Sequence, residues 1–179
     1  MNMIARYEIL AGLPATGPIP EQFSETGLGK HSEGFVVRFH PSTGGESWVG
    51  NFQGGFGECD GVYPEPGSVH LIVVSAGQAY VIDPENRALV RTFGGAIQGV
   101  LSVPDLGLLV FDNGIWLEGL GACGLNWKTR RLSWDGFRQI RLVGTSLCGE
   151  AYAPHANTWH GFEVNLETGH AKGGSYNGP

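Results

Sequence analysis

Residues 69–93 read VHLIVVSAGQAYVIDPENRALVRTF. Leu71 to Val74 form an unbroken apolar run, rich in β-branched residues and too short for a helix turn pattern to develop. A run of that kind suits a strand covered on both faces. Gly77-Gln78 predicts a turn and Ala79–Ile82 a partner strand. Asp83-Pro84-Glu85-Asn86 predicts a second turn, because Asp in first place and Pro in second are the favoured positions of a type I turn. Ala88–Phe93 then returns as a third strand. Short apolar segments joined by tight turns describe an antiparallel meander.

The same punctuation extends in both directions. Upstream, Glu33–His40 and Ser47–Gln53 flank a turn at 40–45, and a Gly/Pro-rich loop fills 54–68. Downstream, Ile97–Val103, Leu108–Phe111, Ile115–Leu120, Leu125–Leu132, Arg138–Val143, Leu147–Tyr152, Trp159–Leu166 and Ala171–Tyr176 read as strands between Gly-, Pro- or Asp-bearing turns. Residues 1–32 read as an irregular N-terminal arm. Its first ten residues suit one or two helical turns or an edge strand, and Glu21–Thr26 a short turn at most. The 30 Gly and 10 Pro among 179 residues exclude a mostly helical chain, and 41% hydrophobic against 16% charged residues excludes a disordered one. The expectation is an all-β fold: an antiparallel meander of about 10–13 short strands in one domain over 33–179, behind the arm. A β-sandwich, an open bent sheet or a small propeller-like repeat would each accommodate that strand list.

Segments 59–95, 96–136 and 137–176 can be laid over one another, each with up to four short strands, and 33–55 looks like a truncated copy. A period near 40 residues with four strands is what one propeller blade requires. In this arrangement, over about 33–176, the chain resembles small β-propeller-like and β-meander repeat proteins. Its C-terminal part, Leu125 to Tyr176, resembles small uncharacterised bacterial all-β proteins. The resemblance is one of strand pattern and brings no functional residues with it.

The net charge of −6 is unevenly placed: residues 1–90 carry ten acids and four bases, residues 91–179 seven of each. Such a chain has no long-range attraction for nucleic acid or anionic membranes. No apolar stretch approaches the length of a membrane span, and the N-terminus does not form a signal-peptide core. Cys59, Cys123 and Cys148 are odd in number, far apart and outside any C-x-x-C pair, so a disulfide scaffold or zinc site is not expected. Reduced thiols and a cytoplasmic location follow.

Residues for catalysis are sparse. No G-x-S-x-G elbow, P-loop or dinucleotide-binding glycine motif occurs. Cys148 has His155 and His160 nearby in sequence, but lies in an apolar strand where a thiol is ordinarily structural. Asp105, Asp112, Glu118, Asp135 and Glu150 offer carboxylate pairs on paper, as any β-rich chain does. No catalytic residue, metal site or cofactor is assigned.

Binding residues are easier to nominate. Trp127, Arg130, Arg131 and Trp134 lie within eight residues, with Trp159 further on, and Trp and Arg concentrate at interface hot spots. Indoles filling a core, with arginines lying over them, explain the same residues. Glu58, Asp60 and Glu65 make the 54–68 loop acidic, which suits either solubility or fast docking of a basic protein. The expected function is a non-catalytic binding protein with a protein partner, for example of the bacterial immunity or inhibitor type. The alternative is a small enzyme or a sugar- or small-ligand-binding domain, with a cleft lined by Trp127, Trp134 and Trp159. There His155 or His160 would serve as base and Asp135 or Glu150 as its partner.

Overall fold

The structure, a computed structural model, describes residues 6–25 and 32–178. Residues 1–5 of the expected N-terminal element and residues 26–31 of the expected arm, with Thr26 at the end of its expected turn, lie outside them. The fold is all-β. Among the described residues there are sixteen strands in four four-stranded sheets and one short 3₁₀ turn at Pro104–Leu106. Among them no helix is long and apolar enough to cross a membrane. The chain divides into two compact units, residues 1–96 and 97–179.

Unit 1 holds sheets 1 and 2. Sheet 2 is the meander of β5 (Gly61–Pro64), β6 (Leu71–Ser75), β7 (Gln78–Asp83) and β8 (Ala88–Gly94), paired in that order. All of β6 and most of β7 are buried, as the unbroken apolar run requires. Each such Leu, Ile or Val contributes roughly 1.5–3 kcal/mol by leaving water. The β6–β7 turn is shifted one residue from its expected place: Ser75 pairs with Gln78, and the loop is Ala76-Gly77. Both have positive φ, 39° and 81°, as a two-residue turn matching strand twist demands. Gln78 is therefore a buried strand residue. The Asp83 turn forms as expected, with its carboxylate accepting the backbone N–H groups of Glu85 (3.0 Å) and Asn86 (3.1 Å).

Sheet 1 recruits the arm. β3 (Phe35–Phe39) and β4 (Trp48–Phe52) form the expected hairpin. β1 (Tyr7–Leu10) adds antiparallel to β3, and β2 (Glu21–Phe23) adds parallel to β4. The arm is thus ordered where side chains reach the core. Phe23 stacks on Phe52 at 4.8 Å, beside the Phe39–Trp48 stack at 4.4 Å. Asn51 also holds it, donating to Gln22 Oε1 at 2.9 Å. These rings share one apolar core with Val62, Leu71, Val73, Tyr80 and Ile82 of sheet 2.

Unit 2 holds sheets 3 and 4. Sheet 3 comprises β9 (Gly99–Val103), β10 (Leu108–Asp112), β11 (Leu117–Gly121) and β12 (Gly124–Lys128). Sheet 4 comprises β13 (Phe137–Val143), β14 (Ser146–Ala153), β15 (Thr158–Asn165) and β16 (Ala171–Gly173). Along β14 burial alternates without a break: Leu147, Gly149, Ala151 and Ala153 face inward, and Cys148, Glu150 and Tyr152 outward. Leu108, Val110 and Leu117 of sheet 3 share a core with Leu147, Phe162 and Val164 of sheet 4. The expected strand Leu125–Leu132 ends at Lys128. Thr129 N–H still donates to Leu117 O at the start of β11; beyond it the backbone departs from the strand and Leu132 N–H reaches Ile115 O, ahead of β11.

Candidate binding surface

The site is built where the chain passes from sheet 3 to sheet 4. Leu132 and Ser133 are fully buried and anchor this passage. The Leu132 carbonyl accepts the N–H groups of Ser175 (2.8 Å) and Tyr176 (3.1 Å), which brings the C-terminal segment alongside. Gly174 permits the approach. Its φ is +92°, and a Cβ there would sit 2.5 Å from Leu132 O. The Ser175 hydroxyl donates to Tyr152 O at 2.6 Å, which ties the same segment to β14.

On this frame sits a cluster of rings and one guanidinium. Trp134, 39% exposed, meets Tyr176 edge-on at 4.8 Å and His155 at 5.9 Å. The Arg131 guanidinium lies 4.5 Å from the centre of the Tyr176 ring and 5.1 Å from that of Trp134. Its Nε and Nη2 donate to the carbonyls of Ser133 (3.0 Å) and Trp134 (3.2 Å). Arg130 holds the tail in place, donating to Gly173 O at 2.6 Å and Tyr176 O at 3.4 Å.

A second group lies on the outward face of sheet 4. Trp159 packs on Tyr152 at 4.8 Å, and the Arg138 guanidinium lies 4.2 Å from the Trp159 ring centre. Arg138 Nε also donates to Glu150 at 2.7 Å. Tyr152 links the two groups, since its carbonyl accepts the Trp134 N–H at 3.3 Å. The two groups therefore offer four large aromatic rings and two arginines, each arginine already oriented by a carbonyl or carboxylate.

The nominated residues divide. Arg131 and Trp134 come together here, with Arg130 behind them as a positioning residue, while Trp159 lies in the second group against Tyr152 and Arg138. Trp127 does not join them: it is 6% exposed and its indole N–H donates to Leu166 O at 2.6 Å, so it belongs to the core of unit 2. Glu58, Asp60 and Glu65 lie in unit 1. Glu58 is exposed on a loop pinned by Phe56 N–H to Gly95 O (2.7 Å) and Gly57 N–H to Ala76 O (2.8 Å). Asp60 caps the Ala76 N–H at 2.7 Å. Glu65 is held between His70 (2.9 Å) and Arg91 (2.7 Å). Burial works against its ionisation, but the hydrogen bonds from His70, Arg91 and Ser68 outweigh that and leave its carboxyl below the usual range.

The residues nominated for acid–base work stand apart. His155 meets the Trp134 ring, and His160 bonds the Thr158 hydroxyl at 3.0 Å. Asp135 is exposed, and Glu150 is paired with Arg138. Among the described residues, neither histidine forms an ion pair with a carboxylate. Tyr176, Tyr152 and Arg138 were not nominated from sequence. Tyr176 stood in a segment read as an edge strand, and nothing local indicated that Leu132 would draw it beside Trp134. For Tyr152 and Arg138 a signal existed in the strand alternation, which places both on the outward face with Glu150.

Neither a protein-family model nor a curated protein matches this chain in sequence.

Proposed function

We propose that the chain is a non-catalytic binding protein that docks a protein partner through the arginine–aromatic surface of unit 2. The observation that carries this reading is the preassembled contact of Arg131 with Tyr176 and the exposed Trp134. Trp, Tyr and Arg contribute most to protein interfaces. Here their rotamers are already restricted by one another, so docking loses little side-chain entropy. The partner face that suits it carries a carboxylate for Arg131 beside an apolar side chain for Trp134.

This moves the docking residues away from Glu58, Asp60 and Glu65, two of which are engaged within unit 1. An inhibitor- or immunity-type role is one form of the proposal, with an acidic rather than a basic partner patch.

The test is site-specific photo-crosslinking in the native host. A benzophenone side chain replaces Trp134 in one version of the full chain and Leu89, exposed on β8, in another. The expected result is a discrete adduct with one protein from position 134, absent from position 89 and lost on Arg131→Ala. The same adducts from both positions, or none from 134, would overturn the proposal.

A further inference from the structure

Between sheets 3 and 4 of unit 2 lies an open-mouthed cavity of about 210 Å³. Val100, Leu101, Val110, Leu117, Ile140 and Leu147 form its apolar wall, with Gly99 and Asp112 completing it. Two features of the backbone keep it open. A Cβ at Gly99 would meet nothing within 4 Å, so the first residue of β9 leaves space that any other side chain would occupy. In β13 the pairing with β14 slips between Arg138 and Arg141, and Gln139 takes a φ of 53° at this bulge. Bulges re-aim the side chains beside them, and Ile140, the next residue, lines the cavity. Non-glycine residues at positive φ persist only where their surroundings enforce them.

Among the described residues, Asp112, at the end of β10, is the only ionisable group in this lining. Its Oδ1 accepts the Gly114 N–H at 2.7 Å. Among the described residues no Lys, Arg or His lies within ion-pair distance of it. The charged groups of the adjoining strands are engaged elsewhere: Glu118 with Lys128, and Arg138 with Glu150. Arg141 and Cys148 line a separate groove on the outward face of sheet 4. Burial pushes the Asp112 carboxyl up to about 6, partly offset by the Gly114 N–H, so it is still ionised at neutral pH. A carboxylate against hydrocarbon walls, without a cation of its own, is the complement of an organic ammonium ion.

We propose that this cavity binds a small organic ammonium ion with a compact hydrocarbon body, Asp112 serving as its counter-ion. An apolar cavity of roughly 150 Å³ accepts benzene, so this one takes a ring of that size bearing an aminomethyl group. Pockets of this kind, apolar with one placed polar group, are the usual form of small-ligand sites. The site is distinct from the arginine–aromatic surface and does not depend on it.

The probe is benzylamine, titrated into the full chain at pH 7.5 while methyl NMR signals of Val100, Val110, Leu117 and Leu147 are followed. Those methyls are expected to shift in a saturable manner. Benzyl alcohol, the neutral isostere, is expected to bind at least tenfold more weakly. Lowering the pH to 5 is expected to weaken benzylamine about tenfold, since the amine stays charged while Asp112 takes up a proton. Asp112→Asn should weaken it by at least the same factor, and Gly99→Leu, which fills the space, should abolish it. Equal binding of the alcohol and the amine would reduce the cavity to an apolar void and overturn the proposal. So would an affinity unchanged between pH 7.5 and 5, or methyls that do not move at millimolar amine. The alcohol and pH comparisons use the unmodified protein, so they decide the matter even if a variant fails to fold.

Discussion

In residues 1–96 the carboxylates sit among donors. Asp83 accepts the Asn86 side-chain amide and the backbone N–H groups of its own turn, and Glu85 accepts both the hydroxyls and the N–H groups of Ser42 and Thr43. The Asn86 amide does most to hold Asp83 below its usual range, and the Ser42 hydroxyl does most to bring Glu85 down to about 2. In residues 97–179 Asp112 faces hydrocarbon, and burial drives it the opposite way. The cores differ in the same sense. Unit 1 is filled by packed Phe, Trp and Tyr rings, while unit 2, with Trp127 and Phe162 in its core, leaves a cavity inside and keeps Trp134 at the surface against Tyr176. Asp60, Asp83 and Glu85 of unit 1 fasten loops, whereas in unit 2 Glu118 and Glu150 are ion-paired but Asp112 is left against hydrocarbon. If docking runs through unit 2 as proposed, the excess of negative charge in the first half serves the fold of unit 1 instead.

The largest effects test packing. Phe52→Ala removes a ring that touches Phe23, Phe39 and Tyr80, and is expected to cost unit 1 about 3–5 kcal/mol. Leu147→Ala enlarges a space that already exists and is expected to cost unit 2 about 2–3 kcal/mol, the low end for such truncations. Denaturant unfolding, with hydrogen exchange to assign the loss to a unit, measures both. A larger loss at Leu147 than at Phe52 would break the contrast between a filled and an unfilled core.

Next comes the response to pH, which has opposite signs in the two units. Above their ordinary range the depressed carboxyls of unit 1 contribute stability, and it is lost as the pH falls from about 4.5 toward 2. Asp112 is raised from 3.8 to about 6, so between those values the folded state holds its proton longer than the unfolded one. Stability is then lost as the pH rises through that window, on the order of 2–3 kcal/mol in full. Asp112→Asn is accordingly expected to stabilise unit 2 by that amount at pH 7 and by almost nothing at pH 4. Equal gains at both pH values would mean that the carboxyl is not desolvated.

Gly174→Ala follows, at more than about 1 kcal/mol, because its φ and the approach of Leu132 O both exclude a side chain. Tryptophan fluorescence should report the Trp134–Tyr176 contact opening along with the loss. Retention of that contact would show that the Arg130 and Ser175 bonds hold the tail without the close approach at Gly174.

The β body was legible because its signals are local. The apolar run at 71–74, the Asp83 turn and the alternation of β14 each declare themselves within a few residues. The arm was legible only in part: the edge strand offered for its first ten residues forms as the four-residue β1, but the three-residue β2 stands where a turn was expected, preceded by Pro20 and held by distant contacts such as Phe23 on Phe52. The site was half legible for the same reason. Residue type singles out Trp127, Arg130, Arg131, Trp134 and Trp159 alike; of these Arg131 and Trp134 meet at the surface, whereas Trp127 looks identical in sequence and is buried. What separates them is that β12 ends at Lys128, and that depends on where Leu117 and Ile115 offer carbonyls. The Asp112 cavity depends on a missing Cβ at Gly99 and a bulge in β13, neither of which has a sequence signature.

The smallest expected effects compare one substitution in the two units. Ala76 in the β6–β7 turn and Gln139 in the β13 bulge both hold a positive φ, 39° and 53°. For an L-residue that conformation costs roughly 1–2 kcal/mol, which glycine avoids. Glycine also gives the unfolded chain more freedom, at a cost of about 0.5–1 kcal/mol. Ala76→Gly is therefore expected to stabilise unit 1 by up to about 1 kcal/mol, seen as a small rise in the denaturant midpoint with an unchanged slope. Gln139→Gly makes the same backbone exchange in unit 2 and should give the same small gain if the bulge is held open by packing around Ile140 rather than by the glutamine. A loss of stability there, with a gain at Ala76, would mean that the Gln139 side chain itself props the bulge, and that the cavity is maintained by a surface residue rather than by the core.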